Sequence, residues 1–307
     1  MPSGKKARQQ RQQAAVRTPP PVRSKGGGGL RGPRQASPRV LAIAGGLVLI
    51  IVVVIVLAVV LGRGGSGGTT NGQGDSETLN LASGTPSVGS STSSVALQGA
   101  PDAAKLFGGI PQSQFVLGKP TAPVVLTEFI DLQCPVCKDF ETTVFPTIVQ
   151  KYVRTGKLRV KMEPWSILDR AGTGVVDSDR GQKATIAAAG QNKAFQFAEM
   201  LYYNQGVEDT NWMNDAMISQ TAASIDGLKP AQLVSDANSA ATKSLAQGVD
   251  SLANTLAAKN TTGGFGGQGF IGTPGLFLSK GNGKLVFYGT GLPNLANLEA
   301  AINALLK

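Results

Sequence analysis

The longest uninterrupted hydrophobic stretch runs from Val40 to Leu61, 22 residues without a charge, a polar side chain or a proline, bracketed by Arg39 and Arg63. As a helix rising 1.5 Å per residue it is about 33 Å long, enough to cross a hydrocarbon core of about 30 Å. A buried core helix rarely lacks a polar face over so many turns. A cleaved signal peptide is disfavoured by the long preceding segment, the length of the apolar run and the lack of an A-x-A site. A membrane-spanning helix over 40–61 is therefore expected.

Further along, the periodicity changes. Val124-Val125-Leu126-Thr127-Glu128-Phe129-Ile130 is a short apolar run after the turn at Lys119–Pro123 and predicts a buried strand. Phe140, Val144, Ile148 and Tyr152, with Phe145 and Val149 beside them, keep helical spacing, and Pro146 inside that pattern predicts a kink. Leu158 to Met162 alternates as a strand. Helical patterns follow over Gln182–Asn204 and Asn211–Ala223, around Leu233, and from Leu245 to Leu256. Strand character returns at Gly275–Leu278, turns at Lys280-Gly281-Asn282-Gly283, and runs back over Lys284–Tyr288. The Asn-Gly pair predicts an antiparallel hairpin. A last helix is expected over about Leu295–Leu306.

Charge divides the chain. Ten of its 29 basic residues precede residue 40, where there is no acid, and the remaining nineteen balance nineteen acids. The high pI of 9.7 thus belongs to the tail. Residues 1–39 are too polar to bury a core and read as a disordered basic tail. Such a tail can bind nucleic acid, but positive charge before a membrane span explains it better, placing the N-terminus in the cytoplasm and the rest outside. Nucleic acid is not expected as a partner. Residues 62–105 are rich in Gly, Ser, Thr, Asn and Gln and read as a flexible linker with a span of roughly 35–40 Å. The domain expected beyond it covers 106–307.

The chain has two cysteines, in Cys134-Pro135-Val136-Cys137, where the strand pattern gives way to the helical one. Pro135 suits the first helical position, whose N–H has no intrahelical partner. Cys134 then falls at the N-cap, where free N–H groups and the positive end of the helix dipole favour a thiolate. Side chains three apart on a helix are about 5–6 Å apart, near disulfide reach. As a mere staple the pair is poorly placed, since closing four residues contributes roughly 2 kcal/mol against about 4.7 kcal/mol for a loop of a hundred. A structural zinc site needs about four ligands, and the chain has no histidine and no further cysteine. No metal and no cofactor are expected; the pair reads as redox-active. Gly264-Phe265-Gly266-Gly267-Gln268-Gly269 fits G-x-G-x-x-G, but a helical pattern precedes it and an extended one follows, the wrong context for a dinucleotide site.

This order of elements matches an α/β thioredoxin-like fold with an inserted helical subdomain at about 170–262. Glu128-Phe129-Ile130-Asp131-Leu132-Gln133-Cys134-Pro135-Val136-Cys137 resembles the active-site stretch of DsbA-like thiol–disulfide oxidoreductases. Gly272-Thr273-Pro274 resembles that family's cis-proline loop, and Phe195-Gln196-Phe197 with Leu201 and Asn204-Gln205 resembles its inserted helices. The resemblance covers roughly 110–307. It implies Cys134 as an exposed nucleophile, Cys137 as its buried partner, and a cis Thr273–Pro274 bond pairing with an extended substrate. It also implies an acid beneath the cysteines at Glu128, either a proton relay to Cys137 or a salt-bridged strand residue. Val136 stands where the strongest oxidases of that family carry histidine, which leaves the Cys134 thiolate less stabilised.

The reading is a membrane-tethered, outward-facing enzyme forming disulfides in exported proteins, reoxidised by a membrane-embedded, quinone-linked thiol oxidase, the last by resemblance alone. The alternatives are a reductase or isomerase using the same site, and a non-catalytic binding or chaperone-like module on the same scaffold.

Overall fold

The computed structural model describes residues 78–169 and 173–307. The basic tail, the expected span at 40–61 and the first part of the linker lie outside the described residues. Among the described residues, no helix is long and apolar enough to cross a membrane.

The chain enters as a strap over 78–99, followed by α1 (Ala100–Phe107), the short strands β1 (Gln112–Ser113) and β2 (Val116–Leu117), and β3 (Val124–Ile130). A long helix α2 (135–153) leads to β4 (Leu158–Pro164). Five helices come next: α3 (Asp177–Gly190), α4 (Ala194–Tyr203), α5 (Asp215–Ala223), α6 (Pro230–Ala237) and α7 (Ala240–Lys259). The chain closes with β5 (Gly275–Lys280), β6 (Val286–Thr290) and α8 (Leu295–Leu306).

The six strands form one mixed sheet in the order β1-β2-β4-β3-β5-β6. β3 lies parallel to β4, with Val124 opposite Leu158 and Ile130 opposite Pro164, and antiparallel to β5. All seven residues of β3 are buried, Thr127 and Glu128 included, since the strand lies between β4 and β5 with both faces covered. Its two faces differ. Val124, Leu126 and Ile130 join the main core with Phe140, Phe145 and Ile148 of α2, whereas Phe129 joins a second cluster with Trp165, Phe270 and Phe277. Glu128 shares the parity of Leu126 and Ile130 and so points toward α2. This α/β thioredoxin-like arrangement, with the helices α3 to α7 inserted between β4 and β5, is the fold expected from the sequence.

Several boundaries differ. The segment to residue 105 is not a linker throughout: from residue 78 it is packed. Leu79 is 1% exposed, its N–H donates to Asn238 Oδ1 (3.0 Å), and its carbonyl accepts from Asn238 Nδ2 (2.8 Å). Ser91 bonds the Asp226 carboxylate through both its N–H and its hydroxyl (2.7 and 2.9 Å). The small residues that made this stretch look like a spacer permit the fit. A Cβ added to Gly89 would lie 2.4 Å from the Ala222 carbonyl oxygen. Composition measured the scarcity of apolar side chains but not the backbone groups available to cap neighbouring helices.

The helix expected over Gln182–Asn204 is two, because Asn192 turns left-handed (φ +58°) between α3 and α4. The next helix starts at Asp215 rather than 211, where Asn214 Oδ1 accepts from Met217 N (3.0 Å). In α2, the stretches Pro135–Asp139 and Phe145–Ile148 are α-helical, while Phe140–Val144 and Val149–Val153 are π-helical. A π turn thus comes just before Pro146, where the ring and the missing N–H disturb regular α geometry, so the irregularity takes this form rather than a break. The Gly264–Gly269 motif forms a loop with one short 3₁₀ turn, Phe265–Gly267, and no helix follows it before β5.

Candidate active site

β3 ends by delivering Asp131, Leu132 and Gln133 to the start of α2. Cys134 is the N-cap residue, in extended conformation (φ −70°, ψ 120°), with Pro135 at the first helical position. Its N–H donates to Asp131 O (3.0 Å), and its carbonyl accepts the first helical bond from Lys138 N (3.1 Å). Opposite lies the loop before β5, where the Thr273–Pro274 peptide is cis. The Cys134 thiol donates to Thr273 O at 3.5 Å. Both cysteines are free thiols.

Their environments separate them chemically. Cys134 is 6% exposed and Cys137 is 0% exposed, so the expectation of an openly exposed Cys134 needs correction. The Thr273 carbonyl lies 3.5 Å from its sulfur, a long-range contact that local sequence does not report. The Cys134 pKa falls to about 6, chiefly because the Cys137 thiol donates to its sulfur. Burial opposes this, while the Thr273 side chain and the N–H groups of Cys137 and Val136 assist it. The Thr273 hydroxyl is buried without a hydrogen-bond partner, a donor free to meet a thiolate. Cys137 is pushed well above its ordinary range, first by burial, then by its role as donor to Cys134 and by the Cys134 charge. At neutral pH one sulfur is therefore a thiolate and the other a thiol.

Three carboxyl groups lie in the core behind this helix. Glu128 on β3, Glu141 one turn beyond Cys137 on α2, and Glu199 on α4 are all buried. Both oxygens of Glu128 and of Glu199, and Oε1 of Glu141, have no hydrogen-bond partner. Burial, then the neighbouring Glu199, raises the Glu128 pKa to about 8. Burial alone does the same to Glu199. Glu141 is raised well above the ordinary carboxylate range, first by burial and then by Glu128 and Glu199. Among the described residues Glu128 makes no ion pair, and the charged groups that act on it are acids, so the structure gives no salt bridge to the strand reading. Glu141 and Glu199 were not singled out in the sequence. Glu199 is the single acid of α4, a signal its sequence carries, whereas Glu141 sits between Asp139 and two threonines and nothing local marks it as buried. Among the described residues no set of three His, Cys, Asp or Glu side chains is placed to hold a metal ion.

Asp131 is a fourth buried acid with the opposite surroundings. Its carboxylate accepts from Gln133 N, Ile167 N and Leu168 N (each 3.0 Å) and from Ser178 Oγ (2.8 and 2.7 Å). Burial raises its pKa to about 7, and these donors hold it from rising further. Beside the cis-proline loop, Trp165, Ile167, Asp250, Asn254, Phe270 and Ile271 line a groove of about 430 Å³. Ile271 is 68% exposed and Val136 37% exposed, so apolar surface flanks the site on both sides.

A thioredoxin family model matches residues 111–285, more than half of the chain. The probable disulfide bond formation protein D of Bacillus cereus is 30% identical over 108 residues, 34% of this chain and 47% of that protein. Disulfide bond formation protein D of Bacillus subtilis is 26% identical over 128 residues, 40% of this chain and 53% of that protein. The chain spans about half the length of the curated relatives it matches. Among solved structures, oxidised BdbD from Bacillus subtilis aligns with a TM-score of 0.49 at 20% identity, covering 64% of this chain and 97% of that one. Wolbachia pipientis alpha-DsbA1 aligns with a TM-score of 0.49 at 21% identity, covering 66% and 96%.

Proposed function

The chain belongs to the thioredoxin family, and from that premise we propose that it is a membrane-tethered, extracytoplasmic thiol–disulfide oxidoreductase that forms disulfides in exported proteins. The observation that carries this reading is the unequal thiol pair at the start of α2, Cys134 lowered and Cys137 raised. A structural staple has no need of such inequality; an exchange site does, because a sulfur with a low pKa is the better leaving group.

In the oxidative direction, a client thiolate attacks Cys134 of the Cys134–Cys137 disulfide. The client–Cys134 bond forms, the enzyme disulfide breaks, and Cys137 leaves with the electron pair and takes up a proton. A second client thiolate then attacks the client sulfur of the mixed disulfide and expels Cys134 as a thiolate. The client dithiol loses two electrons and the enzyme disulfide gains them. Glu128, with no hydrogen-bond partner and a pKa of about 8, is suited to exchange that proton with Cys137 as a relay. Pro274 and Thr273 present the loop along which the client backbone lies, and the groove beside Ile271 receives chain on one side of the reacting cysteine.

Membrane attachment rests on the apolar run 40–61 and on the ten positive charges before it. That topology puts the cysteine pair in the compartment where disulfides persist. A membrane-embedded, quinone-linked thiol oxidase is the proposed acceptor of the electrons. Cys137→Ser tests the reading: in intact cells it is expected to accumulate mixed disulfides through Cys134, and their absence would sink it.

A further inference from the structure

The four residues ending in the reactive cysteine are gripped from outside the sheet. The Tyr202 hydroxyl donates to Asp131 O (3.1 Å). Gln205 Nε2 donates to two carbonyls, Leu132 O (3.1 Å) and Cys134 O (3.2 Å). Gln133 Nε2 donates to Asp169 Oδ1 (3.1 Å) and Ser178 Oγ (2.7 Å), and its Oε1 accepts from Asp209 N (3.0 Å). Every one of these partners comes from the chain between β4 and β5, so the loop that carries Cys134 hangs on the inserted segment.

Of these partners from the inserted segment, Gln205 is the one whose side chain bonds the backbone of the reactive residue itself. Both hydrogens of its amide are used, one on each carbonyl, so the two peptide planes are fixed against a single planar group. The Cys134 carbonyl has a second lone pair, which takes Lys138 N at 3.1 Å. Holding that carbonyl holds ψ of Cys134 at 120°. That backbone setting keeps its sulfur at the helix start, where as a thiol it makes no cap hydrogen bond and as a thiolate it is favoured by the Val136 and Cys137 N–H groups. A drift of ψ swings the sulfur away from those donors while leaving the helix intact.

We propose that Gln205 is a positioning residue for thiol–disulfide exchange: by locking the Cys134 carbonyl it aims Sγ at the first amides of α2. The inserted helices then tune the redox pair rather than merely flanking it. This inference rests on the exchange chemistry proposed above for Cys134, but its test can fail separately.

The test is Gln205→Met in the reduced full-length protein, which keeps the length and packing of the side chain and removes both donors. The pH midpoint for alkylation of Cys134 is expected to rise by about half a unit to one unit, a three- to tenfold loss of thiolate at a given pH. The equilibrium constant for oxidising glutathione is expected to fall by a similar factor. Gln205→Asn keeps the amide on a shorter arm and is expected to shift in the same direction by less; it also carries the test if the Met variant does not fold. Midpoints equal to that of the unmutated protein in both variants, or in the Asn variant alone if only it folds, overturn the proposal. An unmutated protein that does not exchange with glutathione, together with a Cys137→Ser variant that traps no client, overturns the function instead and leaves the alkylation midpoints readable.

Discussion

The Cys134 thiol donates to the backbone carbonyl of Thr273 at 3.5 Å, across the gap between the start of α2 and the cis-proline loop. A thiolate cannot make that bond, because it has no proton to donate. As Cys134 ionises it must exchange the Thr273 carbonyl for donors, and four stand ready: the Cys137 thiol, the Thr273 hydroxyl, and the N–H groups of Val136 and Cys137. The contact thus marks the protonated form, which prevails below a pH of about 6, and titration of Cys134 redirects its sulfur.

The reduced protein is therefore expected to alkylate at Cys134 with a pH midpoint near about 6, the value its surroundings impose. Cys137→Ala removes the largest of these causes and is expected to move the midpoint upward, toward the ordinary 9.0. Rate–pH profiles with iodoacetamide measure both. An unchanged midpoint in Cys137→Ala would show that the neighbouring thiol does not carry the stabilisation.

Glu128 leads to a prediction about stability. Its pKa is 4.5 in an unfolded chain and about 8 when folded, so between these values the unfolded state releases a proton that the native state retains. Stability from this group is full below about 4.5 and declines as pH rises toward about 8, by up to about 1.4 kcal/mol per pH unit. Glu128→Gln is expected to become progressively more stable than the unmutated protein across that window, as measured by urea unfolding of the oxidised form. Parallel stability–pH curves for the two proteins would refute the buried neutral acid.

Val136 stands beside the reactive sulfur without a charge. The reduction potential is expected between about −120 mV, the strongly oxidising limit, and about −270 mV, the thioredoxin value. Val136→His places a cationic donor there and is expected to raise it, each tenfold gain in thiolate stabilisation contributing about 30 mV. Equilibration with glutathione provides the measurement. A potential at or below the thioredoxin value, with the pair reduced in cells, makes the protein a reductase.

The strap before α1 is expected to be structural. Leu79 is buried between its own backbone bonds to Asn238, and Leu79→Ala is expected to cost about 2–5 kcal/mol of unfolding free energy. A loss under about 0.5 kcal/mol, within the range of surface changes, would show that the strap does not hold the domain.

Orientation is the remaining expectation. Protease added to wall-stripped cells is expected to digest the domain beyond residue 62 and spare the basic tail. Protection of the domain in wall-stripped cells whose membrane is sealed would remove both the topology and the oxidising compartment from the proposed function.

What the amino-acid sequence determined by itself is local. The seven residues of β3, the helix start at Pro135 and the final helix Leu295–Leu306 fall where periodicity and punctuation place them, because strand and helix repeats are written in neighbouring residues. Cys134 and Cys137 are legible for the same reason, being separated by one helical turn. Other features depend on pairs far apart in the chain. Leu79 meets Asn238 across 159 positions and Gln205 meets Cys134 across 71, and no period connects residues at such distances. Tertiary packing alone turns a Gly- and Ser-rich stretch into a strap, sets the Thr273 carbonyl against the Cys134 thiol, and buries Glu128, Glu141 and Glu199 near one another. The physical reason is that burial, which sets the charge of those acids and of both thiols, belongs to the assembled core and not to any segment of it.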